Sequence, residues 1–162
     1  MGKRKTPLHG RCLEAGAKMV EFAGWEMPIQ FDGVLQEHKA VRQSCGLFDI
    51  SHMGVITLRG EQAKEALQNL VPSDLFRIGA GQACYTVLTN EKGGIIDDLI
   101  VYDNGFNQEN VQELHLVINA ATAQKDIEWI TDHSRKYKAV VVDKKGNLSL
   151  IHISEPTRQH WI

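Results

Sequence analysis

The chain has 162 residues, a formal net charge of −2, 43% hydrophobic and 23% charged residues. That is enough apolar material to bury a core in one domain or two small ones, and it excludes a disordered chain. Apart from the short Lys3-Arg4-Lys5 run no basic footprint for nucleic acid is present, no apolar run is long enough to span a membrane, and Met1–Arg11 lacks the apolar centre of a secretory signal.

Met1-Gly2-Lys3-Arg4-Lys5-Thr6 fits the loose N-myristoylation pattern but reads as a solvated tail. Cys12, Cys45 and Cys84 are widely spaced, form no metal-ligand pair and no even disulfide set, and suit a reducing cytosol. Lys18–Phe22 alternates polar and apolar residues as a short strand does, and Gly24-Trp25 with Met27-Pro28 reads as a turn carrying a buried aromatic. Residues 33–45 carry an imperfect helical pattern through Val34, Leu35, His38, Val41 and Arg42, with Gly46 placed as a C′ glycine. Ser51-His52 is only a sequence neighbourhood, and His52 reads as structural, since a nucleophile and base must meet in space.

From Gly54 the pattern is regular. Val55–Leu58 is a strand ended by Gly60, and Glu61–Leu70 is a helix with Ala63, Ala66, Leu67 and Leu70 on one face, stopped by Pro72. Cys84–Thr89 and Asp97–Tyr102 are strands joined by an Asn90–Gly94 hairpin with a glycine-dependent bulge. A polar loop at 104–110 leads to a strand over Glu113–Ile118, a helix over Ala120–Arg135 burying Ile127, Trp129 and Ile130, and a last strand over Lys138–Asp143. The order predicts an α+β fold with a largely antiparallel sheet, close to the ferredoxin-like β-α-β-β-α-β arrangement with one strand added.

The stretch Asn90–Asp103 concentrates the chemistry. Asp97 and Asp98 interrupt an apolar strand, and adjacent strand residues point to opposite faces, so each acid needs its own explanation. Parity groups Asp98 with Ile100 and Tyr102, and neighbouring strands can add Tyr85, Val87, Val117 and Asn119. An apolar wall with a carboxylate, two phenols and an amide suits a small aromatic, hydrogen-bonding ligand. Asn119 can equally be a helix N-cap, Asp97 a hairpin cap, and the tyrosines plain sheet residues. Gly79-Ala80-Gly81 has neither the Walker lysine nor Rossmann spacing, and no His/Cys/Asp cluster has metal-ligand spacing, so no metal site is expected.

Several stretches in one register resemble the glycine cleavage system T-protein, a folate-dependent aminomethyltransferase. They are Thr6-Pro7-Leu8, Gly16–Pro28, Glu37-His38, Ala40-Val41-Arg42, Gly46–Gly54, Asn90 with Gly93–Tyr102, Asn119-Ala120-Ala121, Lys125-Asp126 and Trp129-Ile130. The resemblance implies a transferase that takes the aminomethyl group from the lipoyl arm of the H-protein, releases ammonia and forms methylenetetrahydrofolate. It implies tetrahydrofolate as cosubstrate and H-protein as partner; the charge pattern and hydropathy already argue against nucleic acid and membrane, and the cysteines for a cytoplasmic setting. Asp98 matches the family's key carboxylate, and Met53, Tyr85, Asn119, Ile100, Tyr102 and Val117 match its folate pocket. Met53 comes from the resemblance alone.

The family is about twice this long, on the scale of two or three compact units, and its further folate contacts would lie beyond this stretch. Residues 1–53 are expected to form the N-terminal segment of the folate-binding domain and 54–143 a ferredoxin-like subdomain. Residues 144–162 read as a non-native tail, since Leu148–Ile162 resembles translated adapter read-through. The chain is therefore expected to be an inactive fragment of a truncated fold. Two other readings use the same superfamily: a non-catalytic folate-binding module of the iron–sulfur assembly type, and the folate domain of a dimethylglycine- or sarcosine-oxidising enzyme.

Overall fold

The computed structural model describes residues 2–144 and 149–154. In chain order the elements are β1 (Arg4–Lys5), α1 (His9–Glu14), β2 (Lys18–Phe22), β3 (Trp25–Gln30), α2 (Val34–Gln43), β4 (Gly46–Asp49), β5 (Gly54–Gly60) and α3 (Ala63–Gln68). Then follow β6 (Ala83–Thr89), β7 (Ile95–Phe106), β8 (Gln112–Ile118), α4 (Ala123–Ser134), β9 (Ala139–Asp143) and β10 (Ile151–Ser154). They fall into two compact units, Met53–Leu148 and Met1–His52 with Ser149–Ile162. No helix among the described residues is long and apolar enough to cross a membrane.

The larger unit is an antiparallel five-stranded sheet, ordered β6-β7-β8-β5-β9, covered on one face by α3 and α4. The mixed α+β class with mostly antiparallel sheets is as the sequence predicts. The physical cause is period-two patterning. Leu99 and Val101 of β7, Leu114, Leu116 and Ile118 of β8, and Ile56 and Leu58 of β5 all point to the helix side and are at most 2% exposed. They meet Ala63, Ala66 and Leu67 of α3 and Ile130 of α4. Each fully buried Leu or Ile contributes on the order of 1.5–3 kcal/mol of transfer free energy. Ile127 and Trp129 are only half-buried and flank this cluster.

The hairpin between β6 and β7 is closed by Asn90, whose Oδ1 accepts from the backbone N–H of Lys92 at 3.0 Å and of Gly94 at 2.9 Å. Asp97 is therefore not its cap. Gly93 takes a left-handed φ of +77°, and pairing steps from Leu88↔Asp97 to Thr89↔Ile95, a bulge at Ile96. β7 runs on to Phe106 through part of the expected polar loop.

The smaller unit holds the sheet β1-β3-β2 and the antiparallel pair β4 and β10. Trp25 is 8% exposed, but it opens a strand rather than sitting in a turn, with the Arg4 guanidinium 4.6 Å over its ring. His9 Nε2 lies 2.8 Å from Glu26 Oε2, and this bond, outweighing burial, holds the Glu26 carboxyl below its usual range. Helix α2 ends at Gln43 with Ser44 as its C-cap, so Gly46 is not the C′ residue. Glycine is needed there because a Cβ would lie 2.4 Å from Val41 Cγ2. α2 buries none of its residues, and Val34 and Leu35 are exposed. Of the expected non-native tail, 145–148 and 155–162 lie outside the described residues, and Ile151–Ser154 pairs with β4 in register with Gly46–Asp49.

Candidate functional site

Strand register decides which candidate residues meet. Ile100 pairs with Tyr85 of β6 on one side and Val117 of β8 on the other. Asp98 pairs with Val87, and Tyr102 with Ala83 and His115. Asp98, Ile100, Tyr102, Tyr85 and Val117 thus share the sheet face that α3 and α4 do not cover. It is open at β6 and β7: Tyr85 is 67% and Tyr102 42% exposed. Met53 immediately precedes Gly54, and Gly54 pairs with Ile118, so Met53 and Asn119 lie at the same end of the sheet. Two concavities among the described residues lie elsewhere, one at the α4 end near Trp129 and His133, the other an apolar groove in the smaller unit.

Asp98 is exposed and is held by neutral donors. The Tyr85 hydroxyl donates to its Oδ2 at 3.2 Å, and the Asn119 amide donates to its Oδ1 at 3.1 Å and lies 3.3 Å from its backbone carbonyl. The charge of Asp98, and then the hydrogen bond to it, push the Tyr85 phenol above its ordinary pKa. No cation pairs with Asp98 among the described residues, so its negative charge faces the open side.

Asp97, one residue earlier, points to the helix side and is tied to the start of α4. Thr122 Oγ1 donates to its Oδ2, while the Asn119 amide at 2.9 Å and the Asp98 N–H at 2.9 Å donate to its Oδ1. Burial pushes the Asp97 carboxyl up, but Thr122, Asp126, Asn119 and the Asp98 N–H outweigh it and hold the pKa below the usual range. Asp126, in the first turn of α4, is 1% exposed. Burial first, and then the adjacent Asp97 carboxylate, raise its pKa to about 7, with Thr122 and Lys125 pulling the other way.

The N-cap reading of Asn119 is overturned: Thr122 occupies that position, and Asn119 bridges the two acids. Thr122 and Asp126 were missed as members of this cluster. The available signal was a hydroxyl at the helix start followed by an acid in its first turn, a pattern shared by ordinary helix N-termini. Among the described residues no group of three His, Cys, Asp or Glu could hold a metal ion.

Comparison with known proteins adds an independent finding. The model of the GCVT N-terminal domain family matches residues 8–160. An aminomethyltransferase of Prochlorococcus marinus is 55% identical over 157 residues, covering 96% of this chain and 42% of that protein. One of Parasynechococcus marenigrum is 56% identical over 156 residues, with 96% and 42% covered. The crystal structure of the glycine cleavage system aminomethyltransferase T from Bartonella henselae superposes with a TM-score of 0.81 at 35% identity, covering 94% of this chain and 41% of that one. The chain spans about two fifths of the length of the curated relatives it matches.

Proposed function

Since the chain belongs to the GCVT N-terminal domain family, we propose that it forms one wall of a tetrahydrofolate-dependent aminomethyltransferase of glycine cleavage, with Asp98 as the catalytic carboxylate. The full reaction releases ammonia from the aminomethyl-lipoyl arm of H-protein and passes the methylene group to tetrahydrofolate. The observation that carries this reading is an exposed carboxylate, without a counter-charge among the described residues, beside Tyr85, Ile100, Tyr102 and Val117 on one sheet face. Loss of ammonia from S–CH2–NH3+ develops positive charge on carbon, which a fixed carboxylate in a water-poor site stabilises. The same carboxylate can accept the proton released as the acceptor amine attacks. Tyr85, Tyr102, Ile100 and Val117 offer a flat apolar surface with two phenols, which fits a fused heteroaromatic ring, and Met53 and Asn119 border it. The proposed setting is the cytoplasm, in keeping with three free cysteines.

The exposure of Tyr85 and Tyr102 supports a second part of the proposal: the 162-residue chain alone binds tetrahydrofolate weakly and lacks transferase activity. A site that excludes water needs further walls. In an enzyme of the relatives' full length carrying this stretch, Asp98→Asn should lower turnover about 10²–10³-fold, the scale of a lost transition-state charge contact, while tetrahydrofolate still binds. Unchanged turnover would remove Asp98 from the mechanism. Tight binding of tetrahydrofolate to the isolated chain in a calorimetric titration would refute the second part.

A further inference from the structure

A primary amide has two N–H groups, and those of Asn119 are directed at protein acceptors. Nδ2 lies 2.9 Å from Asp97 Oδ1 on the helix side, and 3.1 Å from Asp98 Oδ1 and 3.3 Å from the Asp98 carbonyl on the other. Asp97 is in turn held on both oxygens: Oδ1 takes Asn119 and the Asp98 N–H, and Oδ2 takes the Thr122 hydroxyl. The chain of contacts therefore runs from the N-terminus of α4, through the half-buried Asp97, through one shared amide, to the exposed Asp98. We propose that Thr122, Asp97 and Asn119 are positioning residues that fix the Asp98 carboxylate from the first turn of α4, and that Asn119 does not donate to the ligand.

The physical need is specific. An exposed Asp on a strand has several staggered rotamers open to it, and a carboxylate one residue away adds like-charge repulsion. An amide donor shared by both acids offsets that repulsion and selects one rotamer. Donors to the helix-side acid keep the amide from turning away. The consequence for catalysis rests on the aminomethyltransferase reading, in which misplacement by about 1 Å can cost on the order of 10²-fold in rate. The positioning itself does not rest on it.

Tyr85 is a built-in reporter, because its hydroxyl donates to the other oxygen of Asp98. The test uses this chain with 13C at tyrosine Cζ, titrating Tyr85 by NMR. Asp98→Asn sets the reference, and its Tyr85 pKa is expected to fall toward that of an ordinary phenol. Asn119→Ala and Thr122→Val should each move Tyr85 part of the way to that reference, and Thr122→Ser should restore it. A merely structural contact would leave the tyrosine titration unmoved in variants that remain folded. If Asp98→Asn leaves Tyr85 unshifted, Asp98 is not held against the phenol and the proposal fails. It also fails if Asn119→Ala and Thr122→Val titrate like the unsubstituted chain. Should Asn119→Ala fail to fold, Thr122→Val decides, since it keeps the amide. In the full-length enzyme, Asn119→Ala should lower kcat about 10–100-fold with little change in KM for tetrahydrofolate. A raised KM with unchanged kcat would make Asn119 a folate contact and overturn the assignment. A full-length Asp98→Asn enzyme with normal turnover would defeat the transferase reading while the tyrosine titration still judged the positioning.

Discussion

The two ends of β7 treat an aspartate in opposite ways. At the far end Asp103 is 3% exposed, and its Oδ2 lies 2.6 Å from the Lys64 ammonium, itself part of the buried set at 7%. Lys64 also donates to the Ile78 carbonyl at 2.6 Å, and the Gly105 N–H donates to Asp103 Oδ1 at 2.7 Å. At the near end Asp98 is exposed, and among the described residues its carboxylate meets a phenol and an amide. A buried carboxylate is tolerable only when a counter-charge and donors replace water. An exposed one keeps its hydration, needs no cation, and so retains a charge that a ligand can use. Asp103 is spent on the fold, closing the loop around Ile78 onto α3. Asp98 is left available, and that difference is what makes it the site candidate.

The largest expected effect breaks the spent end. Asp103→Ala leaves the buried Lys64 ammonium without its counter-charge and should cost about 3–5 kcal/mol in chemical denaturation of the chain. Replacing both partners, Lys64→Met with Asp103→Leu, should recover much of the loss, because no charge is then left unpaired. A single substitution no worse than the double would show that the pair is hydrated and that the contrast between the two ends is false.

A middle-sized effect lies in the acids behind the site. Asp126 has a folded-state pKa of about 7, above the roughly 3.9 of an unfolded Asp. The folded chain therefore binds this proton more tightly. Stability from this group is full below about pH 4, falls as pH rises toward 7, and is level beyond. Asp97 runs the other way, since its depressed pKa adds stability above the unfolded value that is lost as pH falls through the folded one. Asp126→Asn, which mimics the protonated acid, should abolish the decline between about pH 4 and 7 and leave the variant more stable than the parent at pH 8. Equal pH profiles would mean that Asp126 is not a buried neutral acid.

The split between Asp97 and Asp98 was legible because strand periodicity is strict: one residue along β7 changes the face. The same rule grouped Asp98 with Ile100, Tyr102, Tyr85 and Val117, and β-sheet register then aligned Ile100 with Tyr85 and Val117. Partners across chain-distant elements were not legible. Nothing in the sequence ties Thr122 to Asp97, since that contact depends on where α4 starts after β8. Lys64, outside the apolar face that the sequence assigns to its helix, is buried where β7 extends beyond Tyr102 and brings Asp103 to it. Short elements with weak patterns, α1 and β4, were missed for the same reason that α2 was found. At ten residues α2 is long enough to show a helical period, although the structure leaves its Val34 and Leu35 uncovered.

The smallest expected effect tests the available end. Asp98→Asn should change the stability of this chain to denaturant by no more than about 0.5 kcal/mol, the scale of a surface substitution. The new amide keeps an oxygen for Asn119, and the position is solvated, so no desolvated charge is created or abandoned. Removing one of two adjacent like charges offsets the loss of the Tyr85 contact. Set against several kcal/mol for Asp103→Ala, a near-zero result would mean that Asp98 contributes little to the fold, which is the condition for a carboxylate retained for chemistry. A loss comparable to that at Asp103 would instead place Asp98 among the structural acids, and the open face would then have no charged group held in reserve.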